Sequence, residues 1–217
     1  MSAQPATTAR SRPAARRRPS RARVWKRRLM LMFGLLLVGA AVLTLVEPAD
    51  HAVREIQLPL RHEDIIRQQA ADKNVDASLI AAVIYTESRF RDQTSHAGAK
   101  GLMQIMPETA DYIARKSGGT EFTREDLATP QINIAYGTWY LRYLLDKYEG
   151  NTILTLAAYN GGEGKVDEWR ATAAAQGEKF KVASHVPYKE TRDYVERVLS
   201  ARADYRSTYA TELGLND

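Results

Sequence analysis

The sequence predicts a mainly α-helical domain preceded by one N-terminal transmembrane helix, and three observations carry that reading. Apolar residues recur at three- and four-residue intervals through most of the chain beyond Leu60. No segment alternates apolar and polar residues for long between turn signals, which argues against a large sheet and leaves room only for a very small β-hairpin near 97–104. An uncharged run from Leu29 to Val46, rich in Leu, Val, Met and Phe, matches the short end of membrane-span lengths.

The formal charge of +5 averages two unlike parts. Residues 1–28 hold ten Lys or Arg and no acid, leaving 21 basic and 26 acidic residues elsewhere, a net −5. The basic tail, with Arg16-Arg17-Arg18 and Lys26-Arg27-Arg28, lacks the apolar residues for a core and reads as disordered. Basic residues before an apolar span keep that flank in the cytoplasm. The sequence thus predicts a single-pass protein of the cytoplasmic (inner) membrane, with the domain on the outer side. A retained anchor at 29–46 is preferred over a cleaved signal, because Glu47 and Asp50 put acids around the expected cleavage point; cleavage after the Gly39–Ala41 region, giving a secreted domain, is the alternative. Residues 47–59 read as a tether, 60–209 as the domain and 210–217 as a C-terminal tail. With four histidines and no cysteine, disulfides and a thiol nucleophile are excluded.

The first helix is expected at about 61–72, with Ile65 and Ile66 inward. Asn74-Val75-Asp76 breaks it, and Asp76 or Ser78 can cap the next helix. There Leu79, Ile80, Val83 and Ile84 form an apolar stripe, with Glu87 next on the same face. A polar loop runs from Arg89 to Gly101, and Pro107 suits the first turn of a helix at 107–117 that Gly118-Gly119 ends. Pro130 precedes a central helix carrying apolar residues on more than one face. Thr152 to Tyr159 is a short apolar helix closed by Asn160-Gly161-Gly162, and a last helix begins near Pro187 with Tyr194, Val195, Val198 and Leu199 on its buried side.

A carboxyl beside aliphatic carbon loses hydration and keeps its proton toward neutral pH, as a general acid must. Glu87 fits that description by register, although a helix-terminal glutamate can also extend its head into solvent. Glycosidic cleavage usually needs a second carboxylate, about 5 Å away as nucleophile or further off to activate water. Asp92 is the nearest candidate in sequence, but its polar loop marks it as a solvated surface residue. One carboxylate acting alone is the more economical reading, with the substrate supplying its own nucleophile. Asn160 can cap a helix terminus or present its amide to a sugar, and Tyr159 and Tyr188 offer phenolic donors. The histidines show no metal spacing, and Gly161-Gly162-Glu163-Gly164 lacks the Lys-Ser/Thr of a phosphate loop.

At these residues the chain resembles the soluble-lytic-transglycosylase (SLT) type of peptidoglycan lytic transglycosylase, a lysozyme-like family. The resemblance covers about 60–209. It rests on Glu87-Ser88, Gly101 to Pro107, Asn133 and Gly137, Ala158 to Gly162, and the closing Pro187-Tyr188, Glu190-Thr191-Arg192 and Tyr194-Val195. It implies a lysozyme-like fold and cleavage of the β-1,4 bond between N-acetylmuramic acid and N-acetylglucosamine without water, leaving a 1,6-anhydromuramyl end. By the same resemblance Glu87 acts as acid and then base, and Tyr188 directs its hydroxyl toward Glu87. Ser88, Met103, Gln104, Tyr159 and Asn160 line the glycan cleft, while Gly101, Gly161 and Gly162 shape the backbone. No metal or organic cofactor is implied. The implied partners are peptidoglycan strands, the membrane through 29–46, and proteins of a cell-envelope assembly. Nucleic acid is set aside, because the folded part carries net negative charge. The loop after Phe90 departs from the family by lacking a proline, which alters the cleft rim. The rivals are a hydrolytic muramidase and a glycan-binding scaffold.

Overall fold

Residues 79–84, Leu-Ile-Ala-Ala-Val-Ile, carry no polar side chain and form the middle of a helix buried on every face. The computed structural model describes residues 25–26, 28–39, 56–118 and 122–215. Within the unit 54–217, the described residues form α1 (Glu63–Lys73), α2 (Ala77–Ser88), α3 (Pro107–Ser117), a 3-10 turn (Arg124–Ala128) and α4 (Pro130–Lys147). The chain continues through α5 (Thr152–Gly161), α6 (Glu163–Ala175), the single turn α7 (Val182–His185) and α8 (Lys189–Thr208).

Helix α2 is the axis of the domain. It packs chiefly along α8, which also receives α5; α4 bridges α1 and α5, and α6 lies on α5. Each fully buried Leu or Ile contributes about 1.5–3 kcal/mol of transfer free energy, so the run from Leu79 to Ile84 anchors the chain firmly up to Glu87. Asp76 caps α2, its carboxylate accepting the Ser78 amide at 2.8 Å.

Pro107 stands in the first turn of α3 and Gly118, at φ 79°, ends it, as the sequence predicts. Helix α1 starts at Glu63 because His62 takes a left-handed conformation, φ 59°. Helix α6 was not expected; only Val166, Trp169 and Ala173 are buried on it, too thin a stripe to stand out in sequence. In place of a hairpin the loop holds two isolated antiparallel bridges, Thr94 with Lys100 and Lys100 with Ile105.

The domain edges also shift. Tyr85, Tyr205 and Tyr209 donate to the carbonyls of Gln57, Pro59 and Leu58, drawing the end of the expected tether into the domain. At the other end Leu213 is 2% exposed and Arg67 donates to the Glu212 carbonyl, so 210–215 pack instead of trailing.

The unit 1–53 is described only at 25–26 and 28–39, which are helical, with Leu31, Phe33 and Leu36 exposed. Among the described residues no helix is long and apolar enough to cross a membrane. The expected span runs past them: 40–46 lie outside the described residues, as do 1–24, 27 and most of the 47–59 segment.

Candidate active site

The apolar length of α2 delivers Glu87 to a half-buried position one residue before the helix ends. Burial pushes its carboxyl up to about 7, from an ordinary 4.5. A contact with the Tyr194 hydroxyl and the charge of Arg197 pull the other way, and the like charge of Glu190 adds to the rise. All three neighbours belong to α8. The Tyr194 hydroxyl is itself buried and stands outside strict hydrogen-bond geometry to any partner, so its contact with Glu87 is a loose one. Burial and the Glu87 charge together hold the Tyr194 and Tyr159 phenols well above their usual range, keeping both protonated as donors.

Tyr188 was expected to face Glu87. It is instead 51% exposed at the N-cap of α8 and meets Trp169 edge-on, with ring centroids 5.6 Å apart. Tyr194 takes the assigned place. Its sequence signal was misleading, because Tyr194 sits in the apolar stripe of α8 and reads as core.

One wall is the loop 89–106. Asn133, fully buried on α4, accepts the Met103 amide at 2.8 Å and donates to the carbonyls of Lys100 and Leu127 at 2.9 and 3.0 Å. Gly101 lies against it: a Cβ there would come within 2.2 Å of the Asn133 amide nitrogen, and φ is 76°. The Tyr159 hydroxyl donates to the Met103 carbonyl at 2.9 Å, tying α5 to the same loop.

This anchoring turns Met103 inward. Its side chain is fully buried against Gly137, so it does not line the cleft as expected. Ser88 is also buried, and its hydroxyl donates to the Ile84 carbonyl at 3.1 Å within α2. It too is removed from the cleft surface. Gln104 does line it, but its side-chain nitrogen is committed to the Gln93 and Gly101 carbonyls at 2.9 and 2.8 Å. Only its carbonyl oxygen remains for a ligand.

The opposite wall is the end of α5. Thr191 donates to the Asn160 side-chain oxygen at 2.8 Å, which fixes the amide so that its nitrogen is the group left to donate. Gly161 allows that approach, since a Cβ there would meet Thr191 at 3.2 Å. Gly162, at φ 88°, turns the chain from α5 into α6.

Between the walls lies a cleft of about 300 Å³, lined among others by Gln104, Met106, Tyr140, Tyr159, Asn160 and Gly162. Glu87 is not one of its lining residues. Tyr159, which lines the cleft and interacts electrostatically with Glu87, connects them. Asp92 is exposed in the loop, and the carboxylate whose charge reaches Glu87 is Glu190. Among the described residues no cluster of three or more His, Asp or Glu could hold a metal ion.

A buried helix with a wholly apolar middle and one raised carboxyl near its end, beside a cleft closed by a Gly-Leu-Met-Gln loop and an Asn-Gly-Gly turn, finds its match in a known domain. Residues 64–181 match the Transglycosylase SLT domain. The chain belongs to that family. The soluble lytic murein transglycosylase of Escherichia coli K12 is 34% identical over 159 residues, covering 72% of this chain and 24% of that protein. The membrane-bound lytic murein transglycosylase C of Glaesserella parasuis is 31% identical, covering 72% and 52%. The crystal structure of the 70 kDa soluble lytic transglycosylase of Escherichia coli superposes with a TM-score of 0.66 at 32% identity, over 74% of this chain and 26% of that one. This SLT chain therefore spans about a quarter of the soluble relative and about half of the membrane-bound one.

Proposed function

We propose that this SLT domain cleaves the β-1,4 bond between N-acetylmuramic acid and N-acetylglucosamine in peptidoglycan without consuming water. The observation that carries the reading is Glu87, a carboxyl raised to about 7 at the end of a buried helix and beside the Tyr194 phenol. Near neutral pH it is populated in both protonation states, as one residue serving first as acid and then as base requires.

In the first step Glu87 gives its proton to the glycosidic oxygen as the bond to muramyl C1 breaks. The carboxylate so formed is stabilised by the Tyr194 hydroxyl and the Arg197 charge. It then takes the proton of the muramyl C6 hydroxyl, whose oxygen bonds to C1 and closes a 1,6-anhydro ring. Glu87 ends as it began. The Asn160 nitrogen donates to a sugar carbonyl or hydroxyl, and the Gln104 oxygen accepts from a hydroxyl, since each amide has its other end engaged.

The relatives' names support this substrate, and one matching structure is an inactive glutamate-to-glutamine variant of the lytic transglycosylase Slt of Pseudomonas aeruginosa. Mass spectrometry of digested peptidoglycan tests the chemistry. The 1,6-anhydro product, lighter by one water and absent with Glu87→Gln, is expected; a reducing muramyl end would mean hydrolysis.

The domain is placed outside the cytoplasmic membrane by a retained anchor at 29–46. Support comes from the basic flank, the uncharged run, the exposed apolar side chains of the 28–39 helix and the membrane-bound relatives. The full-length chain should stay with membranes through alkaline extraction, and release as a shortened soluble form would show cleavage.

A further inference from the structure

Among the Phe, Tyr and Trp rings described in the domain, Tyr188 alone is exposed, at 51%; every other one is buried or half-buried. Its exposure is not looseness. Arg192 donates to the carbonyls of Val186 and Pro187 at 2.7 and 2.9 Å, bracing the turn that carries Tyr188. The ring itself rests against Trp169 at an interplanar angle of 67°. An edge-on partner covers at most one face of a ring, so a flat face of Tyr188 stands open to solvent in a fixed place.

That open face belongs to the rim of the cleft. Trp169, only 9% exposed, backs the cleft wall: a Cβ at the lining residue Gly161 would meet its ring at 3.4 Å. Thr191, whose hydroxyl holds Asn160, follows Tyr188 by three residues, about one helical turn. Trp169 and Thr191 thus join Tyr188 to the Asn160–Gly162 wall through two separate contacts. The cations beside the ring are paired within their own helices, Lys165 with Glu168 at 3.0 Å and Lys189 with Asp193 at 2.5 Å, so the surface is offered to a neutral ligand.

The cleft holds about 300 Å³, at the small end of ligand pockets, so a polymer of many rings must run out over its walls. A pyranose ring carries axial C–H groups that make one of its faces apolar and weakly positive, which suits the negative face of an aromatic ring. We propose that Tyr188 is a sugar-stacking platform just beyond the Asn160–Gly162 wall, seating a further pyranose ring of the strand and so favouring strands long enough to reach it. A ring already held in place loses little freedom when the sugar arrives. This deepens the proposed glycan substrate and rests on it.

Peptide-free glycan oligomers of increasing length are the probe. With wild type, KM should fall as the oligomer grows until it covers Tyr188. Tyr188→Leu keeps an apolar contact with Trp169 but has no flat face; its KM on long oligomers should be about tenfold higher, with kcat and its pH profile in place. Tyr188→Phe and Tyr188→Trp should restore the low KM, because the ring and not the hydroxyl makes the contact. Binding of the same oligomers to Glu87→Gln, with and without Tyr188→Leu, should show the same length-dependent gap without turnover. An unchanged KM in Tyr188→Leu, an equal rise at every length, or a loss in Tyr188→Phe as large as that in Tyr188→Leu overturns the platform while glycan cleavage stands. No cleavage of any oligomer by wild type overturns the cleavage reading alone, and the Glu87→Gln binding series then decides the platform. No binding at any length overturns both.

Discussion

Two carboxylates terminate the same helix, and α8 treats them in opposite ways. Asp76 caps the N-terminus of α2, where burial alone would raise its pKa, but the Ser78 hydrogen bond and the Arg202 guanidinium hold it below the usual range. Glu87 stands at the C-terminal end, where burial dominates and its α8 neighbours are a neutral phenol, a single arginine charge and a like-charged glutamate. The helix dipole works in the same sense at each end, favouring the anion at Asp76 and opposing it at Glu87. One helix pair thus makes a permanent anion that fastens the fold and a proton carrier that can do chemistry.

The largest expected effect separates these roles by activity. Glu87→Gln should lower cleavage of peptidoglycan by about 10³-fold or more, since it removes the acid and the base together. Asp76→Asn, measured in the same assay, should leave the pH profile where it was. A shared loss would break the division of labour.

Stability should respond with opposite signs at the two ends. Asp76→Ala loses the cap and leaves Arg202 and Arg206 unpaired, and should cost about 2 kcal/mol by denaturant titration. That contribution is present above the unfolded pKa of Asp76 and fades as pH falls through its depressed folded value. For Glu87 the folded pKa is the higher one, so its neutral form is favoured by folding at low pH and that advantage is lost as pH rises through about 7. Glu87→Gln should therefore be the more stable protein at pH 8, by about 3 kcal/mol, with the difference shrinking toward pH 4.5.

Two smaller effects sharpen the Glu87 end. Tyr194→Phe removes the group that holds the pKa down, so the high-pH limb of kcat/KM should move upward while the rate falls about tenfold. Global stability should barely change, because the deleted hydroxyl has no strict hydrogen bond. Glu190→Gln removes a like charge and should shift that limb slightly downward without changing the product. A reducing-end product, or a loss as deep as that of Glu87→Gln, would instead give Glu190 the part of a second catalytic carboxylate.

What could be read from the sequence follows the range of the forces involved. The caps, the Pro107 start, the Gly118 stop and the register that brings Glu87 to the end of α2 are local, and each was legible. Glu87's burial was harder to see, because it depends on α8 covering the helix. The choice between Tyr188 and Tyr194 depends on how α2 and α8 meet, and no spacing within α8 encodes it. Met103 was misplaced for a related reason: Asn133 grips its amide from thirty residues away, and Gly137 opens the space its side chain fills. Gln104, Tyr159, Asn160 and Gly162 lie along the cleft, and which amide atom Gln104 and Asn160 leave free came only from their partners.

The central claim is that Glu87 exchanges its proton near neutrality. Carbon-13 NMR of glutamate-labelled protein measures this directly, with Glu87→Gln assigning the signal. A carboxyl resonance titrating at about 7, lost in the variant, is the result this account predicts. A Glu87 signal titrating at its ordinary value near 4.5 would contradict it.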